Sequence, residues 1–266
     1  MINFPAINPV AFELGPLQVR WYGISYVCGI LLAWYLLARR ATQRPDLGWT
    51  REQVGDLIYY ATLGVIIGGR LGSVLFYNLP YYLDNPVDII KVWQGGMSFH
   101  GGLIGVMVAA WYYNRRDGRN FFQTTDFFIP AVPVGLFFGR IANFINAELW
   151  GAPTTVPWGV VFPIEEAGRI ARHPSQIYEA LLEGLLLFII LWLYSSKPRP
   201  VMSVSGLYLV LYGVFRSFVE FFREPDKHIG YLAGEWLTMG QVLSLPMIIA
   251  GGLLLYFAHR TPDDAS

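Results

Sequence analysis

The sequence predicts an all-α integral membrane protein, and three observations support that prediction. Of its 266 residues, 54% are hydrophobic and 14% are charged, whereas a soluble globular chain is about 25% charged. The apolar residues gather in segments of about 20, the length that a helix needs to cross the hydrocarbon core. Basic residues concentrate in alternate loops between these segments. We therefore expect residues 1–266 to form a single polytopic membrane domain.

Seven segments qualify as candidate transmembrane helices. The first, fifth and seventh are apolar throughout their centres, and the third opens on a glycine-rich motif that contains a histidine. The second, fourth and sixth each carry an internal arginine, namely Arg70, Arg140 and Arg216. The expected spans are residues 20–38, 56–78, 98–114, 126–144, 177–195, 205–222 and 237–257.

The distribution of basic residues predicts the topology, because cytoplasmic loops carry an excess of lysine and arginine. The segments that follow spans one, three, five and seven hold ten basic residues, and the other segments hold five or six. We therefore expect a periplasmic N-terminus, a cytoplasmic C-terminus and about seven transmembrane helices. The longest loop, 145–176, lies between spans four and five and contains four prolines. We expect it to form a small periplasmic cap.

Charge and cysteine content exclude several classes of function. The 19 basic residues balance 19 acidic ones, which argues against a nucleic-acid partner because such proteins carry a basic excess. The single cysteine, Cys28, excludes an internal disulfide, and its place in the middle of an apolar span predicts a packing role. The chain also lacks the G-x-S-x-G, P-loop and H-E-x-x-H patterns of esterases, ATP-binding proteins and zinc proteases.

The arginines within the spans are the strongest functional signal, because an ionisable side chain in a membrane marks a functional site by default. Helical spacing places Arg216, Glu220 and Arg223 on one face. Tyr212 shares that face. The planar fork of arginine suits a phosphate group, and lipid head groups contain phosphate. We expect few acidic side chains to neutralise these arginines, which favours phosphate binding.

A structural alternative stays open for each of these charges. Arg216 and Glu220, four residues apart, could form a buried ion pair that locks two helices. Arg70 has an even stronger claim to a structural role. Glu179 and Glu183, at the outward end of span five, are candidate partners for the arginines, and a structural role is favoured for them over a catalytic one.

The segment GGMSFHGG, residues 95–102, forms a second constellation. His100 has glycines close on both sides, which would let a ligand approach the backbone. A histidine can exchange a proton near neutral pH, yet a histidine satisfied by a neighbouring carbonyl is the commoner case. Two further glycine pairs, Gly68 with Gly72 and Gly101 with Gly105, have the spacing of helix-packing motifs.

Five segments, taken together and in order, resemble the bacterial prolipoprotein diacylglyceryl transferase family. The longest is GRIANFINAELWG, from Gly139 to Gly151. The others are RWYG at residues 20–23, GGMSFHGG, RHPSQ at residues 172–176, and the pattern from Tyr212 to Arg223. The resemblance covers nearly the whole chain.

This resemblance implies a bacterial inner-membrane enzyme, multi-pass and without cofactor or metal, whose active site faces the periplasm. It would move the diacylglyceryl group of phosphatidylglycerol onto the lipobox cysteine in the signal peptide of a prolipoprotein, releasing glycerol 1-phosphate. The expected catalytic residues are Arg140, Arg216 and His100. The residues expected to bind substrate are Tyr22, Asn143, Glu148, Gly151, Tyr212, Glu220 and Arg223.

The residues suggest a role for each group in that reaction. Arg140 and Arg216 would grip the phosphate, and Glu148 and Glu220 would hold these arginines in position. Asn143 and Tyr212 would orient the glycerol head group. His100, or a carboxylate acting through it, would accept the thiol proton.

Two other classes of function remain open from the sequence alone. A transporter or flippase for an anionic lipid or solute would also place arginines in a polar interior, but the chain has no convincing internal repeat of the kind that many transporters contain. An intramembrane structural protein held together by buried ion pairs would use the same residues for stability.

Overall fold

The computed structural model describes residues 1–5, 7–15, 17–225, 230, 232–234 and 236–260. The chain divides into two compact units, one of Met1–Ala33 with Phe128–Ser266 and one of Trp34–Phe127. The α-helices in chain order are α1 (Trp21–Gln43), α2 (Arg51–Phe76), α3 (Leu79–Asp84), α4 (Phe99–Asp117), α5 (Phe121–Phe128), α6 (Val132–Ile145), α7 (Ser175–Glu179), α8 (Leu187–Tyr194), α9 (Ser203–Val219) and α10 (Met239–Arg260).

Six helical segments within the described residues are long and apolar enough to cross a membrane. They are Trp21–Gln43, Arg51–Phe76, Phe121–Ile145, Ser175–Tyr194, Ser203–Phe222 and Met239–Arg260. The prediction of an all-α, multi-pass membrane protein is therefore confirmed. The remaining predicted span, 98–114, lies in α4, which is not among these six segments. This helix has 19 residues, and its polar last turn, with Arg115 and Arg116, lowers its mean hydropathy. The orientation of the termini stays a prediction.

In the unit Trp34–Phe127, α2 and α4 pack backbone to backbone through glycines. A Cβ on Gly64 or Gly68 would overlap the main chain of α4 at Gly105 or Gly101, so no larger residue fits. The side chain of Thr50 caps the start of α2 and forms a reciprocal capping box with Gln53. The helix-packing interpretation of the paired glycines is confirmed.

Arg70, on α2, is buried and binds main-chain carbonyl oxygens. Its Nε donates to Ile89 O at 2.8 Å and its Nη1 donates to Gly95 O at 2.5 Å. Its Nη2 donates to Asp88 O and, at 3.3 Å, to Lys91 O. The guanidinium thus holds the segment 86–96 against α2, and the structural interpretation of Arg70 is confirmed.

In the other unit, the span Ser175–Tyr194 is an α-helix interrupted by a π-helical segment, Ala180–Leu186. Gly184 lies in that segment, where a Cβ would come within 2.7 Å of Phe137 Cβ on α6. Helices α9 and α10 meet at Gly206 and Gly251, which leave each other no room for a side chain. These close approaches bring α6, the π-helical segment and α9 around one polar centre.

The loop 145–176 folds together with the start of the chain. Strand β1 (Ile2–Asn3) runs parallel to β4 (Val160–Val161), which pairs with β5 (Ala171–Arg172). Strands β2 (Val10–Leu14) and β3 (Leu17–Arg20) form a separate hairpin. The core of the loop is apolar, with Ala147, Val160, Phe162 and Ala167 buried against Phe4, Phe144, Trp150 and Ile164.

Cys28 lies on α1, and its side chain is exposed. The exposed side chain does not fit the expected packing role within the protein, because a membrane helix also presents apolar side chains outward, on the face away from its protein neighbours. The interior face of α1 is marked instead by Gly29, where a Cβ would meet Gly135 Cα at 3.3 Å.

Candidate active site

Three arginines converge on the carboxylate of Glu179. Its Oε2 accepts from Arg140 Nε at 2.6 Å and from Arg216 Nη1 at 3.3 Å, and its Oε1 accepts from Arg223 Nη1 at 2.6 Å. A carboxylate has about four lone-pair sites and can therefore serve several guanidiniums at once. We call Arg140, Arg216, Arg223, Glu179, Glu183 and Glu220 the arginine cluster.

Glu220 is the second carboxylate that binds these guanidiniums. Arg216 Nη2 lies 2.5 Å from its Oε1, and Arg223 Nε lies 3.2 Å from the same atom. Thr238 donates to Oε2 at 2.7 Å, and a Cβ on Gly240 would lie 2.5 Å from Glu220 Cδ. The predicted shared face of Arg216, Glu220 and Arg223 is therefore confirmed.

Glu183 is the least paired member of the cluster. It lies in the π-helical segment and is fully buried. Its oxygens lie 3.9 Å from Arg140 Nη2 and 3.9 Å from Arg216 Nη1, and neither has a hydrogen-bond partner among the described residues. The cluster thus contains a buried carboxyl group that interacts with the arginines only through charge.

The arginine cluster contains as many acidic as basic side chains. The expectation that little acid neutralises the arginines was wrong. Glu179 and Glu183 come from a different helix, and the spacing of residues along the sequence does not reveal contacts between helices. The side chains of Arg140 and Arg216 remain 19% and 18% exposed, whereas those of Glu179 and Glu183 are 0% exposed. The arginine side chains are therefore more accessible than those of Glu179 and Glu183.

Asn143 and Glu148 form a second polar pair beside α6. Asn143 Nδ2 donates to Glu148 Oε1 at 2.7 Å, and the Tyr22 side chain lies within interaction range of both. Glu148 was expected to hold an arginine, but its carboxylate instead orients the Asn143 amide. The turn after α6 causes this difference, because it folds Glu148 back over the end of its own helix.

Gly151 and Tyr212 occupy tightly packed positions. Gly151 N donates to His173 O at 2.9 Å, and a Cβ there would overlap Phe222 O and lie 2.6 Å from His173 O. Burial lowers the pKa of the neighbouring His173 below its ordinary value. The Tyr212 ring stacks on Tyr208 with centroids 5.8 Å apart. Packing therefore explains why Gly151 has no side chain.

His100 lies in the first turn of α4, in the unit Trp34–Phe127, whereas the arginine cluster lies in the other unit. Its side chain is exposed and its ring contacts that of Phe99 with centroids 5.7 Å apart. The preceding Ser98 caps the helix by accepting a hydrogen bond from Gly101 N at 3.2 Å. The catalytic role of His100 stays a prediction.

The sequence did not place Glu179, Glu183 and Thr238 among the site residues, although it named the two glutamates as possible partners. Their four-residue spacing on a span was the available signal. No local pattern marks Thr238, which reaches Glu220 from the start of α10. Within the described part of the chain, no group of three or more histidine, cysteine or carboxylate side chains could hold a metal ion.

Fold and site together define a multi-pass membrane protein with an arginine-rich centre. A profile of the family described as prolipoprotein diacylglyceryl transferase matches residues 9–257. The chain is therefore a member of the prolipoprotein diacylglyceryl transferase family.

Full-length relatives agree with this assignment. A protein of Oleidesulfovibrio alaskensis named phosphatidylglycerol–prolipoprotein diacylglyceryl transferase is 58% identical over 266 residues, covering 100% of this chain and 98% of the relative. Proteins with the same name from Pseudomonas syringae pv. syringae and Nitratidesulfovibrio vulgaris are 57% and 58% identical. The alignments cover 100% and 96% of this chain, and 98% and 96% of the respective relatives.

Proposed function

We propose that this protein is a transferase that moves the diacylglyceryl group of phosphatidylglycerol to the thiol of a lipobox cysteine in a prolipoprotein. The sulfur attacks the glycerol carbon that bears the phosphate ester and forms a thioether. The carbon–oxygen bond breaks, and glycerol 1-phosphate leaves with the bonding electrons. Family membership and the names of the full-length relatives support this reaction.

The observation that carries the proposal is the convergence of Arg140, Arg216 and Arg223 on Glu179 at 2.6–3.3 Å. Buried carboxylates fix these guanidiniums before substrate arrives, so the donors need little reorganisation during the reaction. Partial exposure of Arg140 and Arg216 leaves N–H groups for a phosphate. Two positioned guanidiniums can bind a phosphodiester by paired hydrogen bonds.

Negative charge grows on the phosphate as the carbon–oxygen bond lengthens. Hydrogen bonds from Arg140 and Arg216 therefore strengthen along the reaction, which lowers the barrier. Arg223 and Glu220 keep Arg216 in place from the neighbouring turn. Asn143, held by Glu148, and Tyr212 would orient the glycerol head group, with Tyr22 and Gly151 beside them.

The thiol must lose its proton before or during the attack. A cysteine thiol has an ordinary pKa of about 8.5 and is mostly protonated at neutral pH. His100, or a carboxylate acting through it, would accept this proton and pass it to solvent. The His100 side chain is exposed in the first turn of α4.

The site would face the periplasm of the bacterial inner membrane, where a secreted prolipoprotein presents its signal peptide. The bias of basic residues toward the opposite loops supports this orientation. The loop 145–176, folded with β1, would then form a cap on the periplasmic surface.

The direct test combines the purified protein with phosphatidylglycerol vesicles and a peptide that contains a lipobox cysteine. We expect a peptide mass that increases by one diacylglyceryl group, together with an equal amount of glycerol phosphate. A transporter or flippase would instead move lipid between leaflets and release no glycerol phosphate. That outcome would overturn the proposal.

A further inference from the structure

The turn after α6 has an unusual backbone. Ala147 and Leu149 adopt φ values of 53° and 58°, in the left-handed region that disfavours residues with a Cβ atom. Glu148 lies between them, and this conformation directs its carboxylate toward Asn143. A turn with two such residues persists only where its surroundings hold it.

Two adjacent residues at the start of α7 hold this turn. Gln176 Nε2 donates to Glu148 O at 2.6 Å, and Ser175 Oγ donates to Leu149 O at 3.1 Å. Both side chains belong to fully buried residues. The two bonds join segments that are more than 25 residues apart, and they attach to the carbonyls of the two successive peptide bonds on either side of Leu149.

The cost of burying Gln176 indicates that its role is specific. Its Oε1 has no hydrogen-bond partner among the described residues, and an unpaired buried acceptor lowers stability. A leucine of similar volume would avoid that cost. The amide at this position is therefore best explained by the one bond that it donates to the turn.

Gln176 also shares a helix face with Glu179, three residues later. One face of the same helix thus holds the turn that carries Glu148 and, through Glu179, the guanidiniums of Arg140 and Arg216. This arrangement fixes the Asn143–Glu148 pair relative to the arginines, whereas a turn free to relax would move Glu148 and leave Asn143 without its partner.

We propose that Gln176, assisted by Ser175, is a positioning residue for the transfer reaction. It keeps the Ala147–Leu149 turn in its left-handed conformation and thereby sets the orientation of Glu148 and Asn143. The inference rests on the proposed function for its catalytic consequence, but the conformation of the turn can be measured without any activity.

The main experiment is a double-mutant cycle. Gln176→Leu removes the donor at similar volume, and we expect kcat to fall by about 10- to 30-fold, with a KM for phosphatidylglycerol that changes less than about threefold. Leu149→Gly, at an exposed position, should retain nearly full activity. In the double variant, glycine adopts the left-handed conformation without strain, so kcat should recover to within about threefold of Leu149→Gly alone.

Hydrogen exchange of the amides in residues 146–151 gives the activity-independent readout. Gln176→Leu should increase the exchange rate of these amides. Leu149→Gly alone should not slow their exchange below the wild-type rate. Ser175→Ala, a smaller change, should have the same effect to a lesser degree and tests the proposal if Gln176→Leu fails to fold. Ser195→Ala is the matched control, because Ser195 Oγ donates to Leu191 O at 2.5 Å at the other end of the same span.

The outcomes separate the two proposals. If the wild-type protein forms no thioether, the proposed function fails, and the exchange data alone decide whether Gln176 holds the turn. If the wild type is active but Gln176→Leu keeps its kcat and exchange rates, the inference is overturned. A loss of activity that Leu149→Gly does not restore would also overturn it, because strain in the turn would then not be the cause.

Discussion

Both units of the molecule contain a buried arginine environment, but the two differ in the groups that bind the guanidinium. Arg70 binds neutral carbonyl oxygens of residues 88–96 and is 4% exposed. Arg140 and Arg216 bind carboxylates, and their side chains are 19% and 18% exposed. The carbonyl-bound arginine organises a loop, whereas the carboxylate-bound arginines remain open to an anion.

The groups that bind each guanidinium support a structural role for Arg70 and the proposed functional role for Arg140 and Arg216. A carbonyl cannot leave its arginine without unfolding the segment that carries it. A carboxylate can share its arginine with a phosphate, since both accept the same paired N–H groups. Activity should therefore respond most strongly to changes in the arginine cluster, and stability to changes at Arg70.

The largest expected effect follows Arg140→Lys. Lysine keeps the charge but loses the planar fork, so we expect transfer activity to fall by about 100- to 1,000-fold with little change in thermal melting. Arg39→Lys, an exposed arginine on α1, is the control and should keep full activity. Near-normal turnover of Arg140→Lys would make this residue a counter-ion only and would erase the contrast with Arg70.

His100→Asn tests whether the unit that contains Arg70 also contributes to the chemistry. If His100 accepts the thiol proton, we expect turnover to fall by about 100-fold and the dependence of kcat on pH to change shape. The measurement is transfer activity from about pH 5 to 9, a range that includes the ordinary pKa values of histidine and cysteine. A wild-type pH profile and turnover would assign His100 a structural role and leave the base among Glu148, Glu220 or solvent.

Arg70→Lys should reduce the stability of the protein more than its transfer activity. Lysine cannot reach the separate carbonyls of the segment 86–96 at once, so we expect a loss of about 2 kcal/mol or more in the free energy of unfolding. Thermal melting in detergent and protease cleavage within that segment would report this loss. Arg115→Lys is the control and should melt close to the wild type, because the Arg115 guanidinium lies over the Trp111 ring in a cation–π pair, 4.7 Å from its centroid.

Cys28→Ala gives the smallest expected effect. The side chain is exposed on α1, and in the proposed reaction the thiol belongs to the substrate. Activity should therefore stay within about twofold of the wild type, because surface substitutions change stability by about 0.5 kcal/mol or less. An inactive Cys28→Ala protein would show that a cysteine of the enzyme takes part in the reaction, and the arginine-centred mechanism would need revision.

Features of the site that depend on local spacing could be predicted from the sequence. The pairs Arg216–Glu220 and Glu220–Arg223 follow from one helix face, and the structure confirms both. The apolar segments likewise predicted the helices, because each needs only its own residues to satisfy its backbone.

Features that depend on contacts between distant segments could not be predicted in this way. Glu179 meets Arg140 across 39 positions of the chain and Arg216 across 37, and no periodicity encodes such pairs. Strands β1, β4 and β5 have two residues each, too few for an alternating pattern. The role of Glu148 depends on left-handed residues at Ala147 and Leu149, which are neither glycine nor asparagine and therefore give no sequence signal.

The π-helical segment Ala180–Leu186 lets its span accommodate an extra residue without changing the rotational register of the two flanking halves. Each π turn contains about one residue more than an α turn, and each residue of a regular helix advances by about 100°. Deleting one residue here would restore a regular helix and keep its two halves in nearly the same rotational register, whereas the same deletion in an α-helical part of the span would rotate them by about 100°. After a deletion in an α-helical part, the half with Leu187 and Leu191 would lose its apolar neighbours if the half with Gln176 and Glu179 kept its partners.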